Sequence, residues 1–110
     1  MAILVLDSLI SQEQLAMVQE DYPGYVKVVV DVEKKVLAAG GQWHADAEKV
    51  LLGLGSKQEN LWGGAMDLET GEVNYVSLIN LRPGISQSME VIDVDVRDVM
   101  REVIYRVFKE

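Results

Sequence analysis

The sequence predicts an α+β domain of order β-α-ββ-α-ββ-α, with two hairpins in a mixed or antiparallel sheet covered by helices. Three observations carry this. A run with apolar residues at every second position begins at Tyr25, and a short charged tip leads it into a second apolar arm. A comparable pair of runs flanks Glu69-Thr70-Gly71-Glu72. Each pair is followed by an apolar stripe of helical period, in 43–54 and again in 96–108. With 110 residues, one core is the limit, so residues 1–110 form a single domain.

Ile3-Leu4-Val5-Leu6 reads as a short strand. Ser11-x-x-Gln14 then matches a capping box, with Ile10 and Leu15 placed as the hydrophobic staple. Leu15, Val18 and Tyr22 keep helical spacing, and Pro23-Gly24 cannot continue it, so the helix is expected to end near Asp21. Val26, Val28, Val30 and Val32 share one strand face, and Lys27, Val29, Asp31 and Glu33 take the other. The tip Glu33-Lys34-Lys35 turns the chain into Val36-Leu37-Ala38-Ala39, and Gly40-Gly41 ends that arm.

Trp43, Ala47, Val50, Leu51 and Leu54 form one stripe of a second helix. Asp46 and Glu48 suit its positive end, and Gly53 and Gly55 supply stop signals. Leu61 to Leu68 is the next strand, with Gly71 able to take the left-handed conformation of a bulged hairpin loop. Val73 to Arg82 is expected to return as a strand apolar on both faces. Pro83-Gly84 ends it, and Ile85 to Met89 is irregular. Asp93 or Asp95 caps a last helix whose stripe is Val96, Val99, Met100, Val103, Ile104, Val107 and Phe108.

The charge balance narrows the partners. With 18 acidic against 10 basic residues and a net charge of −8, the chain repels phosphate backbones, which argues against direct nucleic-acid binding. The apolar start Ala2 to Leu6 is too short for a signal peptide or a membrane span, so no membrane partner and a soluble, cytoplasmic location are expected. The absence of cysteine removes disulfides and thiolate chemistry.

Polar residues capable of chemistry gather in three connections: His44-Ala45-Asp46-Ala47-Glu48, Ser56-Lys57-Gln58 and Asn80-Leu81-Arg82-Pro83. His44 and Glu48 are four apart on a helix side, a spacing that can hold a metal with Asp46 as third ligand. Asp46 projects elsewhere on a regular helix, and first-turn acids beside a capping histidine explain the same residues without metal. No metal and no cofactor are therefore expected. Gly53-Leu54-Gly55-Ser56-Lys57 follows a helix instead of opening one, the reverse of a phosphate-binding loop.

If the second helix crosses between parallel strands, its two ends lie at opposite ends of the sheet, placing His44 away from Ser56. Lys57, Gln58, Asn80 and Arg82 then form one cluster. The planar guanidinium of Arg82 suits a carboxylate or phosphate, and Lys57 adds charge, so the cluster is the expected site for a small anionic ligand. A return of the chain along the sheet would instead unite all three segments, with His44 as general acid or base of a small enzyme. A homodimer is the third expectation, from the two apolar faces of 73–82.

The segments HADAE, GSKQENLWG and SLINLRP, in this order, resemble an uncharacterised family of small prokaryotic proteins, a domain of unknown function. The similarity runs from about Val28 through Pro83. The resemblance implies a small single-domain prokaryotic protein and carries no activity or catalytic residues with it.

Overall fold

Alternation along the valine-rich strand fixes how the layers stack, because each side chain must point to the face opposite its neighbour's. The computed structural model of the chain describes residues 2–109. Its elements are β1 (Ile3–Leu6), α1 (Gln12–Val18), β2 (Tyr25–Asp31), β3 (Val36–Gly40), α2 (His44–Gly53), β4 (Leu61–Asp67), β5 (Val73–Asn74) and α3 (Val94–Phe108). Two 3₁₀ turns, Gln58–Asn60 and Leu78–Asn80, precede β4 and follow β5. The sheet order is β1-β3-β2-β4-β5, with every neighbouring pair antiparallel.

Val26, Val28 and Val30, with Leu37, Ala39, Trp62 and Met66, pack against Val18 of α1 and Met100, Val103, Ile104 and Val107 of α3. On the opposite face Val29, Ala38 and Leu61 receive Ala47 and Leu51 of α2. The sheet is thus the middle layer of three. β2 and β3 are buried on both faces, which explains a Val-rich strand whose second face carries Val29 as well. The α2 stripe is narrower than the spacing predicts: Trp43 and Leu54 are 62% and 64% exposed.

The capping box forms as expected. Ser11 Oγ accepts the Gln14 N–H at 3.1 Å, and Gln14 Oε1 accepts the Ser11 N–H at 3.0 Å. α1 ends at Val18, earlier than Asp21, because Gln19 closes it with its side chain. The Gln19 carboxamide donates to Leu15 O at 3.1 Å and accepts the Gly24 N–H at 2.8 Å, pulling the chain toward β2. At the far end of β2, buried Asp31 accepts the N–H groups of Glu33 and Lys34 and the Ser56 hydroxyl, the last at 2.7 Å. One carboxylate therefore shapes the β2–β3 turn and ties it to the chain leaving α2. Asp93, not Asp95, caps α3, accepting the N–H groups of Asp95 and Val96.

The return arm departs from expectation. Only Val73–Asn74 pairs as a strand with β4, and by Leu78 the chain has entered a 3₁₀ turn whose first amide is capped by Ser77 Oγ. The reason lies in Gly63 and Asn80. A Cβ on Gly63 would lie 2.5 Å from Ser77 Cβ, so only glycine lets the returning chain fold onto the face of β4. Fully buried Asn80 then substitutes for the missing strand. Its Oδ1 accepts the Gly63 N–H at 2.8 Å, and its Nδ2 donates to Gly63 O, Met89 O and Tyr75 O at 3.0, 2.9 and 3.3 Å.

No described helix is long and apolar enough to cross a membrane. The Asn80 geometry yields a stability prediction. Asn80→Ala leaves the buried N–H and carbonyl of Gly63 without their partner, removes one of two donors from Tyr75 O and Met89 O, and should cost about 3 kcal/mol in denaturant unfolding, whereas exposed Lys57→Ala should change stability by less than about 0.5 kcal/mol. Equal effects of the two substitutions would contradict the edge-closing role.

Candidate functional site

β3 and β4 run in the same direction with β2 between them, so α2 connects opposite ends of the sheet. His44 opens the helix and reaches Gly64 O, while Ser56, beyond its last turn, reaches Asp31. Arg82 is hydrogen-bonded to Leu61 O, three residues before Gly64 on β4. At about 3.3 Å per residue the two attachment points are roughly 10 Å apart along the strand.

The four residues expected to recognise an anion have these environments. Lys57 and Gln58 are exposed at the entry to β4. Asn80 directs both its oxygen and its nitrogen to main-chain groups, as described above. Arg82 is 7% exposed, donates to Ile79 O, Glu59 O and Leu61 O, and lies 4.3 Å over the Trp62 ring. Burial lowers the Arg82 pKa, and the carboxylate of Glu48 opposes that shift. Glu48 Oε2 is buried without a hydrogen-bond partner. Asn80 and Arg82 thus satisfy the edge of β4 through side chains two residues apart. Among the described residues, no group of three His, Asp or Glu side chains is arranged to hold a metal, so His44, Asp46 and Glu48 do not converge on one.

A different feature opens beside His44. α2 covers only the part of its sheet face around Val29, Ala38 and Leu61. The remaining part, toward Tyr25 and Lys27, is the floor of an open groove of ≈ 490 Å³. Trp43, His44 and Ala45 form the wall from α2, and Asn74, Val76, Ser77, Leu78, Ile79 and Met89 form the other. The kinked return arm creates that second wall, since a straight strand would lie in the plane of the sheet.

The groove's polar groups are individually fixed. Lys27 Nζ donates to Gln42 O at 2.7 Å and stands 5.2 Å from the Tyr22 ring centre and 5.5 Å from that of Trp43. Asn74 Nδ2 donates to Tyr25 Oη at 2.8 Å. His44 Nε2 lies 2.7 Å from Gly64 O, a pure acceptor, so this nitrogen carries the hydrogen and Nδ1 keeps a lone pair in the neutral ring. Burial holds the His44 pKa below its ordinary 6.5, with the Lys27 charge adding to the effect and the bond to Gly64 opposing it.

Of the residues lining this groove the sequence singles out His44, reads Trp43 first as a core aromatic, and does not mark Tyr25, Lys27, Asn74 or Ser77. The available signal was the pair Tyr25 and Lys27 on the second face of a strand whose first face is all valine. Nothing in the spacing distinguishes exposed Trp43 from a core aromatic.

The architecture and the half-covered face define a small three-layer α+β domain with an open groove at the head of its middle helix. The chain belongs to the family described as a protein of unknown function, DUF5674, whose model matches residues 4–107. Neither a comparison with curated proteins nor one with solved structures finds a match.

The His44 shift sets a pH dependence. A folded-state pKa below 6.5 means that the unfolded state takes up the proton first as pH falls, so the stability His44 contributes is complete above about 6.5 and declines below it, until the folded-state pKa is passed. Unfolding free energy measured between pH 7.5 and roughly 5.5 should fall for the natural chain, and less steeply for His44→Gln. Parallel profiles would show that His44 is not held neutral.

Proposed function

We propose that this chain is a small-molecule-binding domain whose ligand occupies the groove between the head of α2 and the segment following β5. The observation that carries this reading is the groove itself, with Trp43 and Leu78 62% and 70% exposed beside a few individually oriented polar groups. An apolar wall with sparse, fixed polar groups is the usual composition of a ligand site. An indole left in water beside a cavity gains free energy when a ligand covers it. On this reading anion recognition moves from Lys57, Gln58, Asn80 and Arg82 to the groove, because Asn80 and Arg82 have their donors directed to the main chain.

Self-association is a second reading, favoured by a specific observation. Val76, Leu78, Leu81, Ile85, Met89, Ile92 and Val94 are all exposed large apolar residues within one short stretch. That stretch carries only Arg82, Glu90 and Asp93 as charges, a net of −1 in a chain of net charge −8, so like-charge repulsion between copies is weak there.

Both readings have direct tests. An apolar fluorescent dye should bind the natural protein, and Trp43→Ala and Leu78→Ser should each weaken it about tenfold without shifting the thermal midpoint; undiminished dye binding would place the ligand elsewhere. Sedimentation over a range of concentrations should show a dimer that Ile92→Asp converts to monomer if the apolar stretch joins two copies. A concentration-independent monomer would remove that reading.

A further inference from the structure

We infer that the groove is built for a monocarboxylate with a flat apolar body. This rests on the groove being the binding site and comes from counting which polar groups remain free. The Lys27 ammonium has three N–H donors, and one is used by Gln42 O. Tyr25 Oη accepts from Asn74 and keeps its own O–H. Ser77 Oγ accepts the Ile79 N–H at 3.2 Å and likewise keeps its O–H. Asn74 Oδ1 already accepts the Val76 N–H at 3.3 Å. The His44 Nε2–H is given to Gly64 O, leaving Nδ1 as an acceptor. Donors therefore outnumber acceptors, and the complementary ligand brings oxygen lone pairs.

Charge selects among such ligands. Among the described residues Lys27 is the one formal cation lining the groove, and its ammonium lies over the ring of Trp43, the residue at the N-cap of α2. Trp43 supplies no side-chain cap, so the first amides of α2 lack that partner and add partial positive charge beside Lys27. One ammonium and a helix start balance one negative charge. A dianionic phosphate would bring a second charge into a molecule already at −8, and an amine would face Lys27 directly. The body of the ligand lies on Trp43, Val76, Leu78 and Met89, whose exposed apolar surfaces form the rest of the groove. Stacking on an indole favours a planar body.

The test pairs carboxylates with their uncharged amides. Indole-3-acetate, 3-phenylpropanoate and octanoate would each be titrated beside the corresponding amide, following backbone amides and both indole N–H signals by NMR at low salt. The expected result is that the indole and phenyl carboxylates shift Trp43, Ala45 and Asp46 and bind at least about fivefold more tightly than their amides, with octanoate weaker. Lys27→Met should abolish the preference for carboxylate and Lys27→Arg should retain it, which also controls for folding. Amides binding as tightly as carboxylates to the natural chain would overturn the ligand class while leaving the groove as a binding site. Failure of all six probes to shift any groove residue would overturn both.

Discussion

The contact between the Asn80 carboxamide and the Gly63 peptide holds the rest of this architecture in place. A primary amide offers a donor and an acceptor at nearly the spacing of a peptide group, so it can pair with a strand edge where no strand lies. Here it does so fully buried, and Gly63 permits the approach because any side chain would strike Ser77. The chain is thereby released from the sheet plane after Tyr75 and lifted onto the face beside α2. Were β5 to continue as a regular strand, the edge would be satisfied by backbone and the groove would lose one wall.

Much of this was legible in the sequence. The valine alternation gave the two faces of the central strand, and the capping box and the choice of Asp93 or Asp95 gave two helix starts. The failure at 73–82 has a definite cause. Alternating apolar residues describe a strand equally well whether the partner edge is paired by backbone or by a side chain, and Asn80 looks like an ordinary outward polar position until Gly63 is placed against it. For the same reason Asn80 and Arg82 read as ligand-recognising groups: carboxamides and guanidiniums suit a ligand's oxygen atoms and a peptide's carbonyl oxygens alike.

Trp43 illustrates the other limit. It falls on the helical stripe with Ala47 and Leu51, yet it precedes the first turn of α2 and sits past the area that helix covers. Periodicity gives an angle around an axis, not the extent of the surface beneath it. How far α2 reaches depends on β3 and β4 being separated by β2, a pairing between strands distant in sequence. Lys27 and Tyr25 remain uncovered for that reason, and the aromatic contacts of Lys27 hold its charge beside the helix start.

The substitution of side chains for a strand has a consequence for colony-like growth of the protein on itself. A sheet edge with free peptide groups is a template on which another chain can lay down a strand, the first step toward domain exchange or fibres. On the β4 side, Asn80 occupies Gly63 and Arg82 occupies Leu61, and farther out the Glu90 N–H is taken by Ser88 Oγ. Groups belonging to the chain itself have filled these places on the template before any second molecule arrives. The edge that shapes the groove is therefore also guarded against polymerisation, so a second copy arriving there would meet side chains and not a ladder waiting to be extended.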